Sequence, residues 1–166
     1  MIALLLTIVA AFAPPLPVQY QIDVWSRVWG IDARIARAVI HVESRGNPRA
    51  VSRTGDYGLF QVNCVTWRRA ANVRSCAELL SPARNIMLGT WILSKYQRRY
   101  RFPSDAKRFP SNAGSTWACR CGGDHVWISH YNQGGHVSSR GKAYGAVIRQ
   151  IVTKRAQRPL PAIPRS

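Results

Sequence analysis

The chain has 166 residues, 46% of them hydrophobic, and carries six Trp. That is enough apolar material for one domain with a real core, and it excludes a disordered polypeptide. Its 24 Lys and Arg, mostly Arg, face only 7 Asp and Glu, for a net charge of +17; such a balance points to an acidic partner, be it nucleic acid, an anionic membrane surface or a wall polymer, without choosing among them.

Ile2 to Ala13 is an apolar run followed by Pro14, Pro15 and Pro17. It is short for a membrane-spanning helix, which needs roughly 20 apolar residues. It fits the hydrophobic region of an export signal, with Ala11-Phe12-Ala13 as the small-residue site. No Lys or Arg precedes the run, however, and Pro14 would follow the cut. Residues 1–20 are therefore expected to be an export signal or a hydrophobic anchor. The protein would then reside in the periplasm or cell envelope, with a phage-borne origin as the alternative.

A short amphipathic segment near Asp23 to Trp29 comes first. A helix from Asp32 to Ser44 follows, with Asp32 as its N-cap. On the helical period Ala36, Val39, Ile40 and Glu43 share one face, while Arg34, Arg37 and His41 share the other. Glu43 is thus a carboxylate where a core residue belongs. Burial there penalises its charged form and raises its pKa, leaving the neutral acid that general-acid chemistry requires. The alternative is a helix-end Glu that turns to solvent or pairs with an arginine. Asn47-Pro48 is expected to close this helix.

Residues 52–62 carry Gly55 and Gly58 among mixed neighbours, which suits a small hairpin or turn. Cys64 and Cys76 flank the loop that follows. A bridge between them would close a loop of about a dozen residues and add roughly 3 kcal/mol. Cys119 and Cys121 lie near His125 and His130, but the spacing fits no standard zinc finger. A second disulfide or free thiols are favoured there, and no metal or other cofactor is expected.

Ser81-Pro82 opens the next helix, as cap and first position. Ile86 to Leu93 is apolar nearly all round, so this should be the buried central helix, with Asn85 and Gly89 serving its packing. From Tyr96 the pattern breaks down, and a basic loop over about 97–123 mixes Arg98, Arg101 and Arg108 with Tyr100, Phe102 and Phe109. It is either a solvated charged loop or one whose rings stack on bases or sugar faces. A final helix from Lys142 to Lys154 is expected to bury Val147, Ile148 and Ile151. Residues 156–166 form a basic, Pro-rich tail expected to be disordered.

Several of these residues fall into one ordered set. Glu43 is followed by Ser44, by Ser52 nine residues on, and by Gly58-Leu59-Phe60-Gln61, whose Gln lies eighteen residues on. Asn85-Ile86-Met87-Leu88-Gly89 and His130-Tyr131-Asn132 come later. The set resembles the Slt-type lytic transglycosylases, lysozyme-like enzymes that cleave peptidoglycan, over roughly residues 21–152. The resemblance implies a mainly α (α+β lysozyme-like) fold, a helical catalytic domain over 21–155 with a cleft. It also implies that Glu43 is the general acid and base on the β-1,4 bond between N-acetylmuramic acid and N-acetylglucosamine. The substrate's acetamido group would assist, and the product would be a 1,6-anhydro ring. Ser52 would hydrogen-bond the sugar at the reacting centre. Gly58, Gln61, Asn63 and the backbone around Phe60 would hold neighbouring sugars. Tyr131 would orient Glu43 or its proton, with Asn132 supporting that motif.

Asp56 departs from the family, which carries Ala thirteen residues after the catalytic Glu. The stretch Asp56-Tyr57-Gly58-Leu59-Phe60-Gln61-Val62-Asn63 also resembles the c-type lysozymes, in which that Asp is the second catalytic carboxylate. Asp56 is then either a turn carboxylate capping backbone amides or the partner of Glu43 in retaining hydrolysis, for which the carboxyls stand about 5 Å apart. The expected partners are peptidoglycan strands, with acidic wall polymers or a secretion or conjugation assembly beside them. No specific nucleic acid is expected, and the chain should be a monomer. Two alternatives stand: a lysozyme-type hydrolase using Glu43 and Asp56, and a basic module that binds wall or nucleic acid without turnover.

Overall fold

Pro17 fixes the entry to the first helix, α1 (Val18–Trp29), which ends at Gly30 in the left-handed region with φ 68. Glycine enters that region without a Cβ penalty, so the chain turns there sharply. In this computed structural model residues 16–100, 126–133 and 139–156 are described. The apolar run at 2–13, the segment with Cys119, Cys121 and His125, and the tail from 157 onward lie outside the described residues. The first helix starts five residues before the expected Asp23, because Gln21 and Ile22 are also buried.

Asp32 caps α2 (Ala33–Ser44), its carboxylate accepting from the Arg34 amide at 2.8 Å. The helix buries Ile35, Ala36, Val39 and Ile40, while Arg34 and His41 are exposed. Its end comes earlier than Asn47-Pro48: Arg45 adopts a left-handed φ of 55 and breaks the helix after Ser44. A two-stranded antiparallel hairpin follows, β1 (Asp56–Tyr57) on β2 (Val62–Asn63), with Asp56 opposite Asn63 and Tyr57 opposite Val62. Next come α3 (Cys64–Trp67), a 3-10 turn over Cys76–Leu80 and the long α4 (Pro82–Tyr100). The expected Cys64–Cys76 disulfide joins α3 to that turn, with 5.7 Å between Cα atoms. A second 3-10 turn (Val126–Ile128) leads into α5 (Ser129–Gln133), and α6 (Ser139–Ala156) completes the described chain.

The centre is α4, which α1, both 3-10 turns and α5 pack around, while α6 lies against α2 and α5. Ile86, Leu88, Ile92 and Leu93 of α4 are all buried, as expected of the central helix. Two boundaries differ from expectation. Arg98, Arg99 and Tyr100 belong to α4 rather than to the basic loop, since Tyr96 and Tyr100, one turn apart, stack on each other and extend the helix. In α6 Ile148 and Val152 are buried but Val147 is 44% exposed. Neighbouring positions on a helix differ by about 100° in direction, so 147 cannot share the inward row of 148 and 152. No helix among the described residues is long and apolar enough to cross a membrane.

The hairpin is held to α4 by one side chain. Asn85 is fully buried and accepts from the Phe60 amide at 2.8 Å, while its own amide donates to the carbonyls of Tyr57 at 2.8 Å and Leu79 at 2.7 Å. Gly58, at φ 71, sits so close that a Cβ would collide with the Asn85 side chain and the Leu79 carbonyl. Phe60 lies across Gly89, where a Cβ would enter its ring. Ser44 makes a matching tie from α2, donating to the Leu59 carbonyl at 2.8 Å. Asn85→Ala strands one buried amide and two carbonyls, so it should lower unfolding stability by about 3 kcal/mol or more. Urea denaturation checks this, and an unchanged midpoint would show that the side chain does not anchor the hairpin.

Candidate active site

α2 delivers Glu43 to its last turn, where the hairpin, α3 and α5 close around it. Together they enclose a cleft of about 550 Å³ lined by Glu43, Ser52, Thr54, Asp56, Gln61 and Asn63, with Val62, Thr66, Trp67, Ile92 and Tyr131 completing it. Of the expected site residues, Glu43, Asp56, Ser52, Gln61, Asn63 and Tyr131 therefore meet in one place. Gly58 and Phe60 do not line the cleft. The Phe60 ring is fully buried, its amide is taken by Asn85 and its carbonyl by Tyr131, so both residues build the wall instead of facing it. Asn132 lies in α5, and its side chain falls outside the described set.

Burial raises the pKa of Glu43 from 4.5 to about 7; a hydrogen bond from Tyr144 opposes the shift and the nearby charge of Asp56 adds to it. The Tyr144 hydroxyl donates to Oε1 of Glu43 at 2.8 Å. Tyr131, expected to orient Glu43, donates to the Phe60 carbonyl at 2.9 Å. Both tyrosines are pushed well above the ordinary value, first by burial and then by the charge of Glu43, so they stay neutral donors. Tyr144 escaped the sequence reading because it shares a helix row with Ile148 and Val152, which marks a core tyrosine and says nothing of where its hydroxyl points. Thr54 and Trp67 were missed as well. Ser52 and Asp56 bracket Thr54, and only the turn that brings these hydroxyls onto one carboxylate reveals it.

Asp56 sits in the opposite environment. Burial works to raise its pKa, but hydrogen bonds from Ser52, Thr54 and Asn63 hold it below the ordinary 3.8. Ser52 and Thr54 each donate to Oδ2 at 2.6 Å, and Asn63 donates to Oδ1 at 2.8 Å. Among the described residues Asp56 therefore gathers side chains and caps no backbone amide. Asn63 also accepts from the Thr66 amide at 2.9 Å, capping α3 and tying the Asp56 turn to the disulfide-linked segment. Gln61, held at φ 46, spends its amide nitrogen on the carbonyls of Ala50 and Gly58.

One wall of the cleft is aromatic. Trp67 meets Trp91 and Tyr96 edge-on, with centroids 5.6 and 6.3 Å apart, and Tyr96 meets Tyr131 edge-on at 6.1 Å. Behind it, His130 is buried and stacks on Tyr100 at 3.6 Å. Among the described residues no group of three or more His, Cys, Asp or Glu could hold a metal ion. The zinc alternative concerned Cys119, Cys121, His125 and His130, of which His130 alone lies within the described residues. What the arrangement can do chemically is donate a proton at neutral pH beside a fixed negative charge.

Residues 21–145 match the family described as the transglycosylase SLT domain. Over 73 residues the chain is 40% identical to the endo-type membrane-bound lytic murein transglycosylase A of Citrobacter koseri, and equally so to those of Cronobacter sakazakii and Klebsiella pneumoniae. The matched stretch is 40% of this chain and 36% of each relative, so the chain spans little more than a third of the length of these relatives.

The raised pKa has a consequence for stability. Folded Glu43 holds its proton to about pH 7, whereas the unfolded chain releases it near 4.5. Below that lower value both states are protonated and the site costs nothing. As pH climbs through this window the unfolded state is favoured, and stability falls until the folded group also ionises. Glu43→Gln removes the cost, so the variant should match the native protein at pH 4 and exceed it by ~1–3 kcal/mol at pH 8. Urea titrations at the two pH values measure the difference, and a gap that fails to widen with pH would refute a raised pKa.

Proposed function

The chain belongs to the transglycosylase SLT domain family, and from that membership we propose that it cleaves peptidoglycan strands with Glu43 as general acid and then general base. The observation that carries this reading is a carboxyl kept protonated near neutrality inside a cleft, with a tyrosine hydroxyl on one oxygen. Tyr144 fixes the carboxyl plane and leaves Oε2 to give its proton to the glycosidic oxygen between N-acetylmuramic acid and N-acetylglucosamine. The C1–O bond then breaks with the electron pair on the departing sugar, and an oxocarbenium-like centre develops at C1. The substrate's acetamido oxygen shields that centre. Glu43, now a carboxylate, takes the proton of the muramyl 6-hydroxyl as its oxygen bonds to C1, closing the 1,6-anhydro ring and restoring the acid.

Asp56 supports a second reading, in which water attacks in place of the 6-hydroxyl. It is ionised in the same cleft as a neutral Glu43, the division of roles that retaining glycosidases use. Its three hydrogen bonds weaken it as a nucleophile, however, and suit it to stabilising positive charge at C1. Hydrolysis and anhydro-ring formation differ only in which hydroxyl Glu43 deprotonates. The substrate lies outside the cytoplasmic membrane, so the enzyme acts in the envelope, and the apolar run at 2–13 supports export. A secretion or conjugation assembly that opens the wall locally is the user we favour.

Glu43→Gln should lower clearing of purified sacculi by at least about 100-fold, the contribution of a general acid, and the activity should fall as pH rises above about 7. Mass spectrometry of the digest should find 1,6-anhydro-muramyl ends; reducing ends in their place would transfer the assignment to hydrolysis. Asp56→Asn should slow clearing by roughly ten- to a hundredfold through lost charge stabilisation, with the product unchanged.

A further inference from the structure

The first helix carries apolar side chains on the face turned away from the core. Leu16, two residues before α1 begins, and Tyr20, Val24 and Val28, at every fourth position within it, are apolar, and the three inside the helix fall in one row. They are 55%, 55%, 37% and 57% exposed, while Gln21, Ile22 and Ser26 on the other side are buried. A helix whose outer face meets only water carries polar residues there. No residue of α1 lines the cleft, so the row takes no part in the site described above. Arg27, seven residues after Tyr20, borders the row. Asp23, the single acid of α1, is engaged by Arg37 at 2.6 Å, and Arg37 also donates to Gln19 at 2.9 Å. The charge bordering the row is therefore positive.

We propose that this row docks α1 flat on an anionic lipid bilayer. Three observations select lipid as the occupant. The apolar run at 2–13 ends five residues before α1 begins, so a membrane holding that run would lie within about 18 Å of the start of the row. Tyrosine and valines flanked by an arginine match a helix resting at headgroup depth. The +17 chain is drawn to anionic headgroups. With 12 residues α1 is far too short to span, so it lies in the interface.

The test sediments the full chain with vesicles of phosphatidylglycerol and phosphatidylethanolamine, and separately with phosphatidylcholine vesicles. The triple variant Tyr20→Ser, Val24→Ser, Val28→Ser should partition roughly tenfold or more weakly onto the anionic vesicles, having lost the apolar area it would bury. Its thermal midpoint by circular dichroism should stay close to that of the native chain, and the single variants Val24→Ser and Val28→Ser should each show part of the loss. Equal partitioning of native and triple-variant chains would overturn the proposal, assigning membrane binding to the apolar run or to net charge. Equal binding of the native chain to phosphatidylcholine would overturn the anionic preference. A lipid-free dimer that light scattering detects in the native chain and not in the triple variant would overturn it too, giving the row to a second copy.

Discussion

Everything at the site depends on keeping cations away from one carboxyl. The chain carries 24 Lys and Arg against 7 acids, so the simplest fate for Glu43 is an arginine partner. Such a pair would pull its pKa down and leave it ionised rather than protonated near neutrality. Among the described residues the ion pairs are Arg34 with Asp32 and Arg37 with Asp23, both at the far end of α2 and on α1. Glu43 meets a neutral tyrosine instead. Tyr144 satisfies the carboxyl without charge, which offsets part of the burial cost yet leaves the pKa near 7. Among the described residues no arginine is thus paired with the Glu43 carboxyl.

That insulation needs a rigid wall, and the wall is built from backbone polar groups that have nowhere else to go. The turn at 58–61 is too tight to pair its own amides and carbonyls as a ladder. Three side chains satisfy them from three elements: Asn85 from α4, Ser44 from α2 and Tyr131 from α5. Gly58 and Gly89 are small because the turn and the Phe60 ring press against α4 at those points. Each of these residues therefore acts on the cleft by fixing the turn from which Gln61 and Asn63 project. Loss of one leaves a buried polar group without a partner, which costs more than the hydrogen bond itself contributes.

How much of this was legible beforehand follows from what each kind of signal encodes. Periodicity located α2, its buried face and Glu43, because a 3.6-residue repeat in a long segment is strong. It also located α4 as the centre. It failed at Arg98 to Tyr100, where arginines masked the aromatic row that prolongs the helix, and at Val147, one position off the inward row. Motif spacing gathered Ser52, Gln61, Asn63 and Tyr131 into one cleft but could not tell a wall from a lining, so Gly58 and Phe60 were assigned to substrate. Tyr144 illustrates the limit most sharply. A hydroxyl partner 101 residues away in sequence leaves no local trace.

Asp56 and Glu43 are best understood as one electrostatic unit. Both are carboxyls in the same cleft, and burial raises the pKa of each. The difference lies in donor count: Asp56 receives three side-chain hydrogen bonds and Glu43 one. Three donors hold Asp56 ionised, and its fixed negative charge then helps to hold Glu43 neutral. The Ser52, Thr54 and Asn63 donors therefore act twice, directly on Asp56 and through it on the acid. An uncharged residue at this position would leave burial alone to raise the Glu43 pKa against the opposing Tyr144 hydrogen bond. Asp56 thus ties the pKa of the acid to the geometry of the hairpin turn, which Asn63 in turn anchors to the disulfide-bonded α3.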